Sequence, residues 1–286
     1  QIHHMTILPT PPTPSGGSGC DTGHTTGMHT PMSNRRRKPR APKRRIEGTY
    51  AIDTGHAAIV ADPLRDGGYV LEVNNVPSSY VVPGAPEVLE YDYMRWIAAF
   101  MESAELPRPF TAVHLGAAGC SLPSYVAHRW DSHNIAVELD AGLAALVRDA
   151  FDPPVEIAVA EARAFTHALA PGSVDVIVRD VFAGPDTPRA LATVEFFHAA
   201  HRALAPGGVF VANVGDRPGL ANARAQLAGL AEVFAHTAAA APTGILGGRE
   251  YGNVVLAASD APLAFSGEVP WKPGADLSGA TPALRD

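Results

Sequence analysis

Two acidic residues stand at the ends of predicted strands, where they could do chemistry. Asp180 follows the segment 174–179, four of whose positions are apolar, and a carboxylate at the mouth of a buried strand is costly unless it has partners or a function. It is therefore the candidate acid/base group, with an N-cap for the following turn as the alternative. Glu138 follows the run 135–137 and lies 22 residues after Gly116. An acid at that spacing accepts hydrogen bonds from both ribose hydroxyls; surface exposure is the alternative.

The turn at 116–120 is the candidate approach of the backbone to a ligand. Small residues there let the chain come close to a bound group and open the next helix. The turn is not the G-x-G-x-x-G pattern of dinucleotide enzymes, because Ala118 stands at the second glycine. A plain strand–helix turn is the alternative. The small residues assigned to the nucleoside site are Gly116, Ala117 and Gly119.

Glu161 and Ala162 follow a third apolar run, 155–159. A polar residue at this point of a nucleoside-binding fold meets the adenine amino group, and the carboxylate of Glu161 can accept that hydrogen bond. A solvated loop acid is the alternative. Leu139, next to Glu138, is assigned to the same nucleoside site.

Alternating strands and helices position these residues. The spacing predicts strands at 111–115, 134–139, 155–159, 174–179, 209–214 and 253–258. It predicts helices at 87–101, 122–129, 140–150, 163–169, 193–204 and 221–234, with Asp140 as the N-cap of the third. This pattern is typical of an α/β fold with a parallel, doubly wound, Rossmann-like sheet of the class I methyltransferase type. Ligands bind beyond the carboxyl ends of such strands.

The flanking segments differ from this core. Residues 1–45 are rich in Pro, Gly, Ser and Thr and then basic, so we predict a disordered basic arm. Residues 46–86 show alternating patterns and turn signals that predict a small N-terminal antiparallel β unit. The Rossmann-like nucleoside-binding domain is predicted at 87–265 and a tail at 266–286.

Charge and composition limit the partners. Eight basic residues lie in 35–45, which leaves 14 basic and 28 acidic residues in 46–286. An acidic body attracts cationic ligands, whereas the arm either contacts a polyanion or is a solvated tail.

Two isolated cysteines predict a reducing, cytoplasmic compartment and no disulfide framework. No membrane span is predicted. His198 and His201 have no third ligand nearby, so no metal site is predicted.

Taken together, these motifs resemble the spermidine synthase (polyamine aminopropyltransferase) family over roughly 48–260, in the same order throughout. The family's glycine-rich loop matches 115–120, its acid-rich strand end 137–140, its adenine-contacting step 160–162 and its catalytic strand end 178–180. A helix with two aromatics matches 195–197, and a Leu-x-Pro-Gly-Gly turn matches 204–208. The N-terminal β unit followed by a helix is also the family's layout.

The resemblance implies transfer of an aminopropyl group from decarboxylated S-adenosylmethionine to a diamine such as putrescine. It implies no permanently bound cofactor, a nucleoside co-substrate, a polyamine substrate, and a homodimer formed through the N-terminal region. Asp180 would remove the amine proton and attract the cationic substrate.

Some family positions differ in this chain. An acid of the loop falls on Gly119, a glutamine on Ser78, a Tyr-His-Glu motif on 90–92 and a second carboxylate on Ala183. These positions hold the amine in the family. The expected replacements in the amine site are Ser78, Glu90, Asp92 and Asp186. Two other functions stay open: a methyltransferase that uses intact S-adenosylmethionine, and a catalytically decayed binding protein on the same fold.

Overall fold

A computed structural model describes residues 46–286. The predictions for the basic arm at 1–45 lie outside this part of the chain. Of the helices in the described part, none is long and apolar enough to cross a membrane.

The N-terminal unit is an antiparallel sheet in the order β1-β2-β3-β4. Its strands are β1 (Gly48–Ile52), β2 (Gly55–Ala61), β3 (Tyr69–Val73) and β4 (Val76–Val81). The turn between β3 and β4 consists of Asn74 and Asn75, both with positive φ, a conformation that asparagine tolerates. The predicted antiparallel unit is confirmed.

The second sheet has eight strands in the order β12-β10-β11-β9-β8-β5-β6-β7. Strands β7, β6, β5, β8 and β9 pair in parallel, and β11, β10 and β12 add antiparallel pairs. These strands are β5 (Phe110–Leu115), β6 (Ser132–Glu138), β7 (Glu156–Val159), β8 (Val174–Arg179), β9 (Leu204–Asp216), β10 (His236–Ala240), β11 (Gly252–Ser259) and β12 (Trp271–Pro273). The strand order reverses between β5 and β8, where doubly wound folds bind ligands. The predicted fold class is confirmed.

The helices connect these strands. They are α1 (Asp92–Ser103), α2 (Ser121–Arg129), α3 (Ala141–Phe151), α4 (Ala162–Ala168), α5 (Val194–Ala203), α6 (Ala221–Ala231), α7 (Thr243–Leu246) and α8 (Ala275–Ser278). A 3-10 turn spans Arg189–Leu191. Under this sheet the core is apolar, and three of its aromatic rings, those of Phe196, Phe197 and Phe210, pack edge to face or tilted.

Asp140 fastens the N-terminal sheet to α3. As predicted, it is the N-cap of α3 and accepts a hydrogen bond from the Leu143 amide. The same carboxylate accepts three more hydrogen bonds from the turn between β1 and β2, from the amides of Asp53 and Thr54 and from the Thr54 hydroxyl. Asp53 in return accepts from the first amides of α3, those of Ala141 and Gly142. The two carboxylates therefore cap each other's segments reciprocally.

Several elements differ from the prediction. Helix α1 begins at Asp92 rather than at 87, because Tyr91 is extended and forms the N-cap. Strand β9 includes residues 206–208, where a turn was predicted. The chain is irregular there, because the pairing of β9 with β8 shifts register between Leu204 and Val209. Strands β10 and β12 were not predicted. The second of these lies in the range interpreted as a tail, where Leu277 is also buried.

Candidate active site

The register of the parallel strands brings the predicted residues to one edge of the sheet. The last residue of β5 pairs with Val137 in β6 and with Arg179 in β8. Glu138 and Asp180, which follow these partners, therefore flank β5 at the same level. Two strand spacings separate them, or about 10 Å between backbones.

Asp180 has a specific environment at the end of β8. Its Oδ2 accepts a 3.0 Å hydrogen bond from the Tyr93 hydroxyl, and its Oδ1 accepts one of 3.0 Å from Asn213 Nδ2. Burial raises the pKa of Asp180, and the hydrogen bonds from Asn213 and Tyr93 and the charge of Arg179 oppose that rise. Burial also raises the pKa of Tyr93 well above its usual value, so the phenol keeps its proton and donates it. The carboxylate is thus held in place by two neutral donors.

Arg179 lies behind the carboxylate and is fully buried. Its guanidinium donates to the carbonyls of Leu191 at 2.8 Å and Asn213 at 3.3 Å. Burial lowers its pKa to about 9, opposed by the charge of Asp180, which leaves it charged at neutral pH. Arg179 therefore ties β8 to β9 and to the 3-10 turn, and it fixes the backbone that carries the Asn213 side chain.

Glu138 joins the glycine-containing turn to α3. Its Oε2 accepts from the Ala118 amide at 3.2 Å, and its Oε1 accepts from the Asp140 amide at 3.1 Å. Ala118 and Cys120 both have positive φ, 40° and 57°. Such conformations are costly for residues with a side chain and concentrate at functional sites. Here they aim the Ala118 amide at the carboxylate.

The two glycines of the turn are required for different reasons. Gly116 has φ +85°, and a Cβ there would lie 2.3 Å from the Asp180 carbonyl oxygen. Gly119 does not have a positive φ, but a Cβ added to it would lie 2.7 Å from Ser79 Cβ. The Gly119 amide also donates to Ser79 Oγ at 2.9 Å. Strand β4 is thus packed against the turn too closely for the acid that the family resemblance implied at this position.

Glu161 is the N-cap of α4. Its carboxylate accepts from the amides of Arg163 at 2.9 Å and Ala164 at 2.7 Å, and a carboxylate bearing two such bonds still has acceptor capacity. Ala162 is buried and belongs to the core cluster. Leu139 is 63% exposed, and Val159, at the end of β7, is 48% exposed. Two apolar side chains therefore lie uncovered beside the acids of the predicted nucleoside site.

Ser78, which was predicted to belong to the amine site, lies in an irregular part of β4. Leu71 pairs with Ser79 and Glu72 with Pro77, so Ser78 is the extra residue of a β-bulge. Its hydroxyl donates to the Val76 carbonyl at 2.9 Å. The bulge brings Ser79, rather than Ser78, to the glycine-containing turn.

The three acids predicted to replace the family's amine ligands are each paired with an arginine. Glu90 Oε2 lies 3.6 Å from Arg65 Nη2, and Asp186 Oδ1 lies 3.2 Å from Arg217 Nη1. Asp92 forms an ion pair with Arg95, one turn further along α1. Among the described residues, Asp180 differs from all three in having only neutral side-chain hydrogen-bond donors, those of Tyr93 and Asn213.

The sequence analysis missed Tyr93, Asn213, Arg179 and Ser79. Two of them had a usable signal. Asn213 interrupts the apolar run of β9 at the register of Asp180, and Arg179 is a cation within a buried strand. Tyr93 comes from a helix 87 residues away, so local spacing carries no signal for it.

Comparison with known proteins identifies relatives of this chain. The structure of a probable spermidine synthase from Corynebacterium glutamicum is 39% identical, with a TM-score of 0.78, over 84% of this chain and 96% of that one. A polyamine aminopropyltransferase of Chromobacterium violaceum is 31% identical over 133 residues, 45% of this chain. This match spans about half, 50%, of the curated relative's length.

A more distant structure shares the fold alone. It is a spermidine synthase in complex with the transition-state analogue AdoDATO, 19% identical with a TM-score of 0.54 over 83% of each chain. No family model matches the chain. The identity and coverage shared with the Corynebacterium structure place the chain in a family: it belongs to the spermidine synthase (polyamine aminopropyltransferase) family.

Proposed function

We propose that the chain transfers an aminopropyl group from decarboxylated S-adenosylmethionine to the nitrogen of an amine, with the diamine putrescine as the first acceptor to test. The observation that carries this proposal is the buried carboxylate of Asp180, held by Tyr93 and Asn213 at the edge where the strand order reverses. Membership in a family of transferases supports it.

The nucleoside half of the site supports a bound adenosine. Glu138 is positioned to accept hydrogen bonds from the ribose hydroxyls, and the first turn of α4, with Glu161 and the Ala162 amide, to meet the adenine edge. The exposed side chains of Leu139 and Val159 offer apolar surface to the purine ring. Gly116, with φ +85°, lets the turn approach the Asp180 backbone closely.

The proposed reaction is a displacement at the carbon of the aminopropyl group next to the sulfonium. The amine nitrogen forms the new C–N bond, and the C–S electron pair stays on sulfur, which leaves as neutral methylthioadenosine. The amine must first lose a proton, since an ammonium has no lone pair. Asp180 accepts that proton and passes it to solvent. Burial raises the pKa of Asp180, which makes its carboxylate a better proton acceptor.

The side chain of Asn213 favours the binding of an amine next to Asp180. Its Nδ2 donates to Asp180, while its buried Oδ1 has no hydrogen-bond partner within the described residues 46–286. A buried acceptor without a donor is unfavourable. An amine bound to Asp180 carries further N–H groups, and one of them can satisfy this oxygen.

The experiment is an assay of the full chain with decarboxylated S-adenosylmethionine and several amines, following methylthioadenosine. We expect methylthioadenosine to form, and Asp180→Asn to lower kcat by about 10²–10⁴-fold. Glu102→Gln, which removes only a surface ion pair with Arg129, is the matched control. If no amine yields methylthioadenosine while intact S-adenosylmethionine yields S-adenosylhomocysteine, the protein is a methyltransferase and the proposal is wrong.

From the family resemblance we also propose a cytoplasmic homodimer formed through the N-terminal region. Light scattering on the full chain tests the assembly, and a monomer at micromolar concentration would contradict it.

A further inference from the structure

The segment 284–286 is bound next to the adenine side of the proposed nucleoside site. The Asp286 amide donates to Glu195 Oε2 at 3.1 Å, and the Arg285 carbonyl accepts a hydrogen bond from the Arg189 guanidinium. Glu195 lies in the first turn of α5, and Arg189 begins the 3-10 turn. These two bonds therefore fasten the segment to the 3-10 turn and to the start of α5.

The Asp286 side chain extends from there to Arg163, in the first turn of α4. Arg163 Nη1 donates to Asp286 Oδ1 at 2.9 Å and Nη2 donates to Oδ2, so the pair is bidentate. The hydroxyl of Thr193, the N-cap of α5, donates to the same Oδ1 at 2.9 Å. The Arg163 guanidinium also donates to the Ala190 carbonyl at 2.6 Å. Arg163 and Asp286 thus connect the first turn of α4 to the 3-10 turn and to α5.

The backbone of the same arginine orients Glu161. The Arg163 amide donates to Glu161 Oε1 at 2.9 Å, and the Ala164 amide donates to Oε2 at 2.7 Å. Glu161 and Ala162, the two residues predicted to meet the adenine edge, directly precede Arg163 in the chain. A displacement of the Arg163 backbone would therefore move both of them.

The 3-10 turn that Arg163 contacts is also bound to β8. The Leu191 carbonyl, at the end of this turn, accepts a 2.8 Å hydrogen bond from the buried guanidinium of Arg179, the neighbour of Asp180. The turn is thus bound to α4 through its Ala190 carbonyl and to β8 through its Leu191 carbonyl. It fixes the first turn of α4 relative to the end of β8.

The pair of Arg163 and Asp286 is accessible to dissolved ions. The Arg163 side chain is 22% exposed and that of Asp286 is 47% exposed. The hydrogen bond from Arg163 lowers the pKa of Asp286, so the carboxylate is ionised at neutral pH. Salt screens such charges, because the Debye length falls from about 10 Å at about 0.1 M to about 3 Å at about 1 M. The strength of this pair therefore depends on ionic strength.

We infer that Arg163 and Asp286 are positioning residues of the nucleoside site. They hold the first turn of α4 where Glu161 and the Ala162 amide meet adenine, and they act through that turn. This inference rests on the proposed function and adds to its site a residue 123 positions further along the chain. Methylthioadenosine carries no charge, so salt weakens its binding by weakening the pair of Arg163 and Asp286.

The test is calorimetry of methylthioadenosine binding to the full chain. We expect Arg163→Met to raise the dissociation constant by about 5–30-fold and Asp286→Asn to raise it by about 2–5-fold. Wild type should bind more weakly in about 1 M NaCl than in about 0.1 M NaCl, and Arg163→Met should lose this difference. In the methylthioadenosine assay both variants should have a higher KM for decarboxylated S-adenosylmethionine, with kcat and the KM for the amine unchanged.

Arg285→Gln is the matched control, because it removes an ion pair with Glu232 from the same segment; it should change neither the affinity nor its salt dependence. Asp286→Asn decides the question if Arg163→Met does not fold. If the folded variants bind methylthioadenosine as wild type does, or lower kcat with an unchanged KM for the donor, the inference is wrong while the proposed transfer stands. If wild type itself binds no methylthioadenosine, the proposed function fails and this inference fails with it.

Discussion

The Tyr93 hydroxyl donates a 3.0 Å hydrogen bond to Asp180 Oδ2 and so connects the start of α1 with the end of β8. Tyr93 is buried and is stacked with Tyr91, their ring centroids 6.1 Å apart. The helix that follows the N-terminal sheet therefore supplies a donor to the candidate base. A Rossmann-like domain without that helix would lack this contact.

Replacing Tyr93 with phenylalanine should shift the pH profile of the reaction. The hydrogen bond from Tyr93 lowers the pKa of Asp180 against the larger effect of burial. Without it the pKa rises further, so the ionised base appears only at higher pH. We expect the acidic limb of log(kcat/KM) against pH to move to higher pH, with the largest loss of rate below neutrality.

Tyr91→Phe is the matched control for this measurement, since it removes a hydroxyl from the neighbouring ring and leaves the bond to Asp180 in place. An acidic limb that stays in place in Tyr93→Phe would show that the group titrating there is not Asp180.

Replacing Asp180 with asparagine should remove activity without destabilising the fold at neutral pH. Because burial raises the pKa of Asp180 in the folded state, the folded protein holds this proton more tightly than the unfolded chain. Stability contributed by this group is therefore greatest at low pH and falls as the pH rises from the unfolded pKa of about 3.9 through the folded one. Asparagine avoids that loss.

Urea denaturation at pH 4 and pH 7 measures this effect. The free energy of unfolding of Asp180→Asn relative to wild type should increase between the two values. A variant clearly less stable than wild type at pH 7 would instead indicate that the ionised carboxylate stabilises the fold.

Replacing Glu138 with alanine should weaken nucleoside binding. The variant lacks the carboxylate and therefore its charge-assisted hydrogen bonds to the ribose, which are worth about 1–3 kcal/mol. Calorimetry with methylthioadenosine should therefore give a dissociation constant about 5–150-fold higher. Glu156→Ala, at the exposed start of β7, should bind normally. Equal affinity in wild type and Glu138→Ala would remove Glu138 from the nucleoside site.

Replacing Gly119 with alanine should disturb the turn, because the added Cβ would lie 2.7 Å from Ser79 Cβ. Overpacking of this kind costs about 1–3 kcal/mol. Ser79→Gly removes the nearest obstructing side chain but leaves Val81 Cγ2, which would lie 2.9 Å from the added Cβ, so the double variant should regain part of the lost stability. Thermal unfolding of the two single variants and the double variant gives the coupling energy. Strictly additive effects would mean that the clash is relieved elsewhere.

The ends of the strands could be predicted because the apolar pattern of each strand stops where a charged residue appears. Glu138 ends an apolar run and Asp180 directly follows the largely apolar strand β8, and parallel register then forces them to one edge. The N-cap of α3 could be predicted in the same way, since Asp140 directly precedes the helix. All of these features depend on residues that are neighbours in the sequence.

The remaining features depend on distant pairings. Strand β10 is HTAAA, and alanine favours helices, so it is a strand because it pairs with β11 and β12. The bulge at Ser78 shifts which serine meets the turn, and no spacing rule anticipates it. The arginine partners of Glu90 and Asp186 lie 25 and 31 residues away, so the sequence showed acids where the structure shows neutral pairs.

The shared capping by Asp140 and Asp53 connects the nucleoside site to the hairpin of β1 and β2. Glu138 bonds to the Asp140 amide, and the Asp140 side chain holds the hairpin of β1 and β2. A ribose bound to Glu138 would therefore share a carboxylate with the Asp140 amide. Whatever effect its binding has on the stability of the hairpin, thermodynamic reciprocity gives the hairpin the same effect on ribose affinity, and amide exchange along β1 and β2 with and without methylthioadenosine would measure it.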